Sequence, residues 1–145
     1  MPDLTAAFAD RLRQLGVFFA RVAAAQSASH GARSKQELLA VDVLGVRGPT
    51  RMGDLADHLG VGRSAVTPLV DRLADEGIVE RRRSEADRRV WHVALTAKGR
   101  GVFDAASAAY EQVAAAMLAQ LSPADGARLV DLLACVADGA DGVGD

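Results

Sequence analysis

A single cysteine, Cys135, excludes an internal disulfide and any multi-cysteine zinc site. The three histidines, His30, His58 and His92, lack metal-ligand spacing, so no metal is expected. No run approaches the roughly 18 uninterrupted apolar residues of a membrane span. The first thirty residues lack the basic start and continuous apolar stretch of a signal peptide, so a cytoplasmic location is the expectation. Paired carboxylates, Ser/His/Asp and Cys/His arrangements are missing at recognisable spacings, and Gly60-Val61-Gly62 follows no evident strand. It reads as a turn rather than a phosphate loop. Neither an enzyme nor a cofactor is expected.

What is present is helical in character. Hydrophobic residues make up 50% of the 145-residue chain and aromatics only 4%. Alanine-rich, aromatic-poor composition favours closely packed helices in one domain. The net charge of −2 is unevenly spread. Residues 101–145 hold 1 Lys/Arg against 7 Asp/Glu, whereas residues 81–100 hold 7 against 2. Local potential governs a contact surface more than the total does, so an acidic chain can still present a basic face.

The first segment has apolar residues at Leu4, Phe8, Leu12, Leu15, Phe19 and Val22, a helical stripe. A loop around Ser27 to Gly31 is expected to end it. Ser34 and Glu37 have capping-box spacing and open a helix whose apolar face is Leu38, Val41, Leu44 and Val46; Gln36 and Glu37 are expected as exposed first-turn residues. Gly48-Pro49 closes it. A short helix near Met52 to Leu59 buries Leu55, Ala56 and Leu59, with Arg51 where a Ser or Thr cap is usual. After the glycine turn, Val66, Leu69, Val70 and Leu73 form one buried face, and Gly77 ends the helix. The opposite face carries Arg63, Ser64, Thr67, Pro68, Asp71 and Arg72. Pro68 forfeits a backbone bond to the Ser64 carbonyl. Its ring either offers an apolar surface to a thymine methyl or is a tolerated helix-start proline.

A basic hairpin follows, with Ile78 to Arg83 as one strand and Val90 to Leu95 as the other. Trp91, Val93 and Leu95 alternate onto one face. The polar tip from Arg83 to Arg89, beside a helix-turn-helix, points to nucleic-acid contact. Thr96 caps a long helix to about Leu121; Ser122-Pro123 starts another, with a frayed tail from Gly139. Cys135, among Leu132, Leu133 and Val136, is expected as a buried, inert thiol. The apolar stripes at both ends find no partner in the central segment, which points to a two-fold helical dimer. The alternative is a helical protein-interaction module whose arginines meet an acidic partner.

From Ser34 to Arg100 the chain resembles the MarR family of winged helix-turn-helix regulators. The similarity runs through Asp54-Leu55-Ala56, Leu59-Gly60-Val61, Arg63 to Thr67, Leu69 to Leu73 and Glu76 to Arg81. It continues through Asp87-Arg88-Arg89, similar to the family's wing tip, and Leu95 to Arg100, similar to its strand-to-helix junction. The resemblance implies a mainly α fold with a small β-hairpin wing. Residues 1–33 and 97–145 would form a helical dimerisation domain, and residues 34–96 the winged helix-turn-helix module. It implies a homodimeric, sequence-specific repressor of transcription on a pseudo-palindromic operator in double-stranded DNA. A small aromatic or phenolic effector would relieve repression, though no residue marks its site. Arg63, Ser64, Thr67 and Pro68 would face base edges or nearby phosphates, and Arg72 a phosphate. Asp87 would orient the wing, with Arg89 inserted in the minor groove and Arg88 beside it. Pro68 departs from the basic residue common at its position, and the wing turn has no proline.

Overall fold

The computed structural model describes residues 3–30 and 33–140. Two long helices frame a central module. They are α1 (Leu4–His30) at one end and α5 (Ala97–Leu118), followed by α6 (Pro123–Ala140), at the other. Between them run α2 (Lys35–Arg47), β1 (Thr50–Arg51), α3 (Met52–Leu59), α4 (Arg63–Asp75), β2 (Val79–Arg83) and β3 (Trp91–Leu95). The strands form one antiparallel sheet in the order β1-β3-β2. Val79 pairs with Leu95 and Arg83 with Trp91, while Thr50 and Arg51 face Val93 and His92. The strand β1 is absent from the sequence reading: two residues show no alternation.

The core lies in the central module. Val41 and Leu44 of α2, Leu55 and Leu59 of α3, Val66, Leu69, Val70 and Leu73 of α4, Ile78 just before β2, and Val79 and Val93 of the sheet pack together. The helical periodicity seen in α3 and α4 therefore builds the core as expected. Gly60 makes the turn between these helices at φ 63°, ψ 32°, a left-handed conformation that glycine adopts without steric penalty. Close approach fixes a second glycine. A Cβ at Gly99 would lie 2.0 Å from the Ile78 carbonyl oxygen, so the start of α5 can rest on β2 only without one. Thr96 completes that junction: its hydroxyl donates to the Gly77 carbonyl at 2.5 Å and accepts from the Gly99 N–H at 3.0 Å.

Several expectations are corrected. Helix α1 continues through Ser27 to His30, because serine is a tolerable helix residue and no Gly or Pro intervenes; Gly31 lies outside the described residues. Helix α5 ends at Leu118, and α6 persists through Gly139 to Ala140; the rest of the expected tail, residues 141–145, lies outside the described residues. Val46 is 77% exposed and Ala40 takes its place in the core. Glu37, expected at the surface, is buried beside Arg72. Trp91 is half-exposed because it pairs with Arg83 at the far end of the hairpin, while Val93 and Ala94, nearer α5, are buried. Cys135 is exposed, as are Leu132, Leu133 and Val136 around it. Nothing among the described residues covers that face.

Candidate nucleic-acid interface

Helix α4 buries Val66, Leu69, Val70 and Leu73, which leaves Arg63, Ser64, Thr67, Pro68, Asp71 and Arg72 on the exposed face. The helix stays continuous across Pro68, its sixth residue. Ser64 and Pro68 are both exposed, so water can serve the Ser64 carbonyl that the proline ring leaves unpaired. The Thr67 hydroxyl donates weakly to the Arg63 carbonyl at 3.4 Å.

The wing turn is closed by local backbone hydrogen bonds and one side-chain carboxylate. Ser84 N–H donates to the Val90 carbonyl at 2.8 Å, and Val90 N–H to the Asp87 carbonyl at 2.9 Å. The Asp87 carboxylate accepts the Arg89 N–H at 2.9 Å, a local closure that Asp makes readily. Asp87 therefore fixes the backbone from which Arg88 and Arg89 project. Below the tip, the Arg83 guanidinium lies 5.0 Å from the Trp91 ring centroid and reaches the Arg88 carbonyl at 3.5 Å. The sequence places Arg83 in the DNA-contacting tip and Trp91 on a strand face, and does not show that the two stack.

Carboxylates sort the arginines of this surface. Arg81 donates to Asp71 at 2.5 Å, tying the wing strand to α4. Arg82 pairs with Glu80, and Arg33 with Glu76. Arg72 Nε donates to Glu37 Oε1 at 3.1 Å. The other Glu37 oxygen accepts the Ser34 N–H at 2.8 Å, completing the capping box. That backbone bond, reinforced by Arg72, lowers the Glu37 pKa below its ordinary value despite burial. Arg72 is consequently a partly committed cation, although its side chain remains 58% exposed. Among the described residues, Arg63, Arg88 and Arg89 form no ion pair. The start of α4 and the wing tip thus carry guanidinium groups outside ion pairs, whereas Arg72, Arg81 and Arg82 are paired.

The MarR family model matches residues 34–91, from the capping serine of α2 to the start of β3. Helix-turn-helix and braced wing fall within that match, which marks residues 34–91 as a segment of the MarR type. The uncharacterized HTH-type transcriptional regulator YcgE of Bacillus subtilis is 39% identical over 69 residues, covering 47% of this chain and 45% of that protein. The chain spans about half the length of the curated relatives it matches. In fold it resembles RV1404 from Mycobacterium tuberculosis, with a TM-score of 0.77 and 23% identity, covering 97% of both chains. It also resembles Streptococcus pneumoniae FabT, solved in complex with DNA, with a TM-score of 0.69 and 24% identity, covering 92% of this chain and 98% of that one. No helix among the described residues is long and apolar enough to cross a membrane.

Proposed function

We propose that this protein is a homodimeric, sequence-specific DNA-binding regulator, acting as a repressor that a small aromatic or phenolic ligand releases. The observation that carries the DNA reading is the sorting of arginines: among the described residues Arg63, Arg88 and Arg89 form no ion pair, whereas Arg72, Arg81 and Arg82 do. Guanidinium groups outside ion pairs at a helix start and a hairpin tip suit the phosphates lining a major groove and the negative potential of a narrow minor groove. In this reading α4 enters the major groove with Arg63, Ser64, Thr67 and Pro68 forward, and Arg89 enters the minor groove with Arg88 beside it. Arg72 contributes to the phosphate field from its Glu37 pairing. FabT, on the same fold, is solved in complex with DNA, which supports DNA binding.

Residues 34–96 serve as the DNA-binding module, and residues 1–33 and 97–145 as the dimerisation domain. Support comes from the apolar side chains those helices leave in solvent, including Phe8 and Leu12 of α1 at 52% exposure and Leu132, Leu133 and Val136 of α6 at 55%. A two-fold pair would present two α4 helices about 34 Å apart, one helical turn of DNA. If the dimer neutralises about eight phosphates, log affinity should fall against log salt with a slope of roughly −7. The test is a titration of a selection-enriched duplex against the native protein and Arg89→Ala, with oligomeric state measured alongside. Loss of at least tenfold in affinity with an intact dimer is expected. Unchanged affinity removes the wing assignment, and the absence of a specific complex with a normal dimer favours an acidic protein partner.

A further inference from the structure

We infer that Arg51 and Arg63 together seat one backbone phosphate of DNA, in the groove between the starts of α3 and α4. The inference rests on the DNA-binding reading and adds a residue that reading omits. The groove has a volume of about 440 Å³, and its lining includes Arg51, Gly53, Asp54, Arg63 and Thr67. The Arg63 guanidinium lies against the first turn of α3: a Cβ at Gly53 would stand 3.4 Å from its Nη2 and 3.7 Å from its Cζ. The arginine thus lies at van der Waals distance above that turn.

Arg51 is the residue without a local explanation. It occupies the N-cap of α3 yet makes no side-chain cap hydrogen bond, as a guanidinium has no acceptor to offer. Arg63 is the first residue of α4, whose N-cap Gly62 has no capping side chain either. Two exposed cations thus stand where helix dipoles already place positive potential, an arrangement unfavourable by itself. Asp54 also lines the groove, but neither arginine forms an ion pair among the described residues. A tetrahedral anion between the two guanidinium groups reverses the balance, because each can offer paired N–H donors to its oxygens. Thr67, on the exposed face of α4, borders the same groove, so the anion lies next to the surface assigned to DNA. A phosphodiester at that point would fix the depth and register of α4 without reading sequence.

The test uses the full-length protein, Arg51→Ala and Arg51→Lys, with fluorescence anisotropy on two duplexes: one enriched by selection and one of unrelated mixed sequence. Affinities are measured from 50 to 200 mM KCl, and thermal melting confirms that each variant folds. Because the seat needs both guanidinium groups, losing Arg51 releases one phosphate per protomer and should flatten the salt slope by about 0.9 each, or about 1.8 for the dimer. Over that fourfold salt range Arg51→Ala should then lose about twelvefold less affinity than the native protein. Both duplexes should weaken by the same factor, and Arg51→Lys should retain most of the native slope. An unchanged slope overturns the phosphate seat, as does a loss confined to the enriched duplex, which would make Arg51 a base reader. A native protein without salt-dependent binding would instead overturn the DNA-binding reading itself.

Discussion

Replacing Glu37 with glutamine probes the tie between α2 and α4. The carboxylate accepts the Ser34 N–H at 2.8 Å and Arg72 Nε at 3.1 Å while almost wholly buried. Glutamine keeps the shape and one neutral acceptor but removes the charge. Hydrogen bonds to a charged group contribute about 1.5–3 kcal/mol and neutral ones about 0.5–1.5. The 58% exposure of the Arg72 side chain screens its share. A loss of about 1–2 kcal/mol is therefore expected at neutral pH. For a chain of this length that lowers the melting temperature by roughly 3–8 °C. Circular-dichroism melts of both proteins between pH 7 and pH 3 supply a second arm. The folded Glu37 pKa is depressed, so its contribution is present above the unfolded value and disappears as pH falls through the folded one. The gap between the two proteins should accordingly close in acid. Burial raises the Asp42 pKa, which acts in the opposite sense and weakens stability as pH rises, but it is common to both proteins and cancels in the difference. A gap absent at pH 7, or one that stays constant in acid, would refute the pairing.

Other outcomes follow from packing. Gly99→Ala should destabilise by about 1–3 kcal/mol in denaturant titration, since its Cβ would meet backbone rather than a movable side chain. Gly101→Ala, in the same helix with nothing within 4 Å, should instead stabilise by about 0.5–1 kcal/mol. Leu132→Asp should leave a monomer in sedimentation velocity while retaining the circular-dichroism signature of the central module. A dimer of native affinity would show that α6 lies outside the interface.

Local periodicity made much of this chain legible. Val66, Leu69, Val70 and Leu73 declare the buried face of α4 and, by exclusion, its outward face. Ser34 and Glu37 declare a helix start through spacing alone. What stayed hidden involved contacts distant in the chain or side chains with two faces. Glu37 meets Arg72 across 35 residues, and no local pattern announces which exposed-looking carboxylate will be buried by a remote arginine. Likewise the wing tip is readable as Asp87-Arg88-Arg89, but Arg83 stacking on Trp91 depends on hairpin register. Cys135 failed differently. Its leucine-rich surroundings predict burial, yet burial there requires a surface beyond the described residues of one chain.

The measurement that bears most directly on the regulator reading is a hydroxyl-radical footprint of the native protein on its selected duplex, repeated with small aromatic ligands. Two protected tracts about 34 Å apart, one helical turn, are expected. Each should be flanked by minor-groove protection that Arg89→Ala removes, and an effective ligand should erase the whole pattern. A single tract, protection indifferent to Arg89, or no protection at low salt would contradict the dimeric winged-helix account.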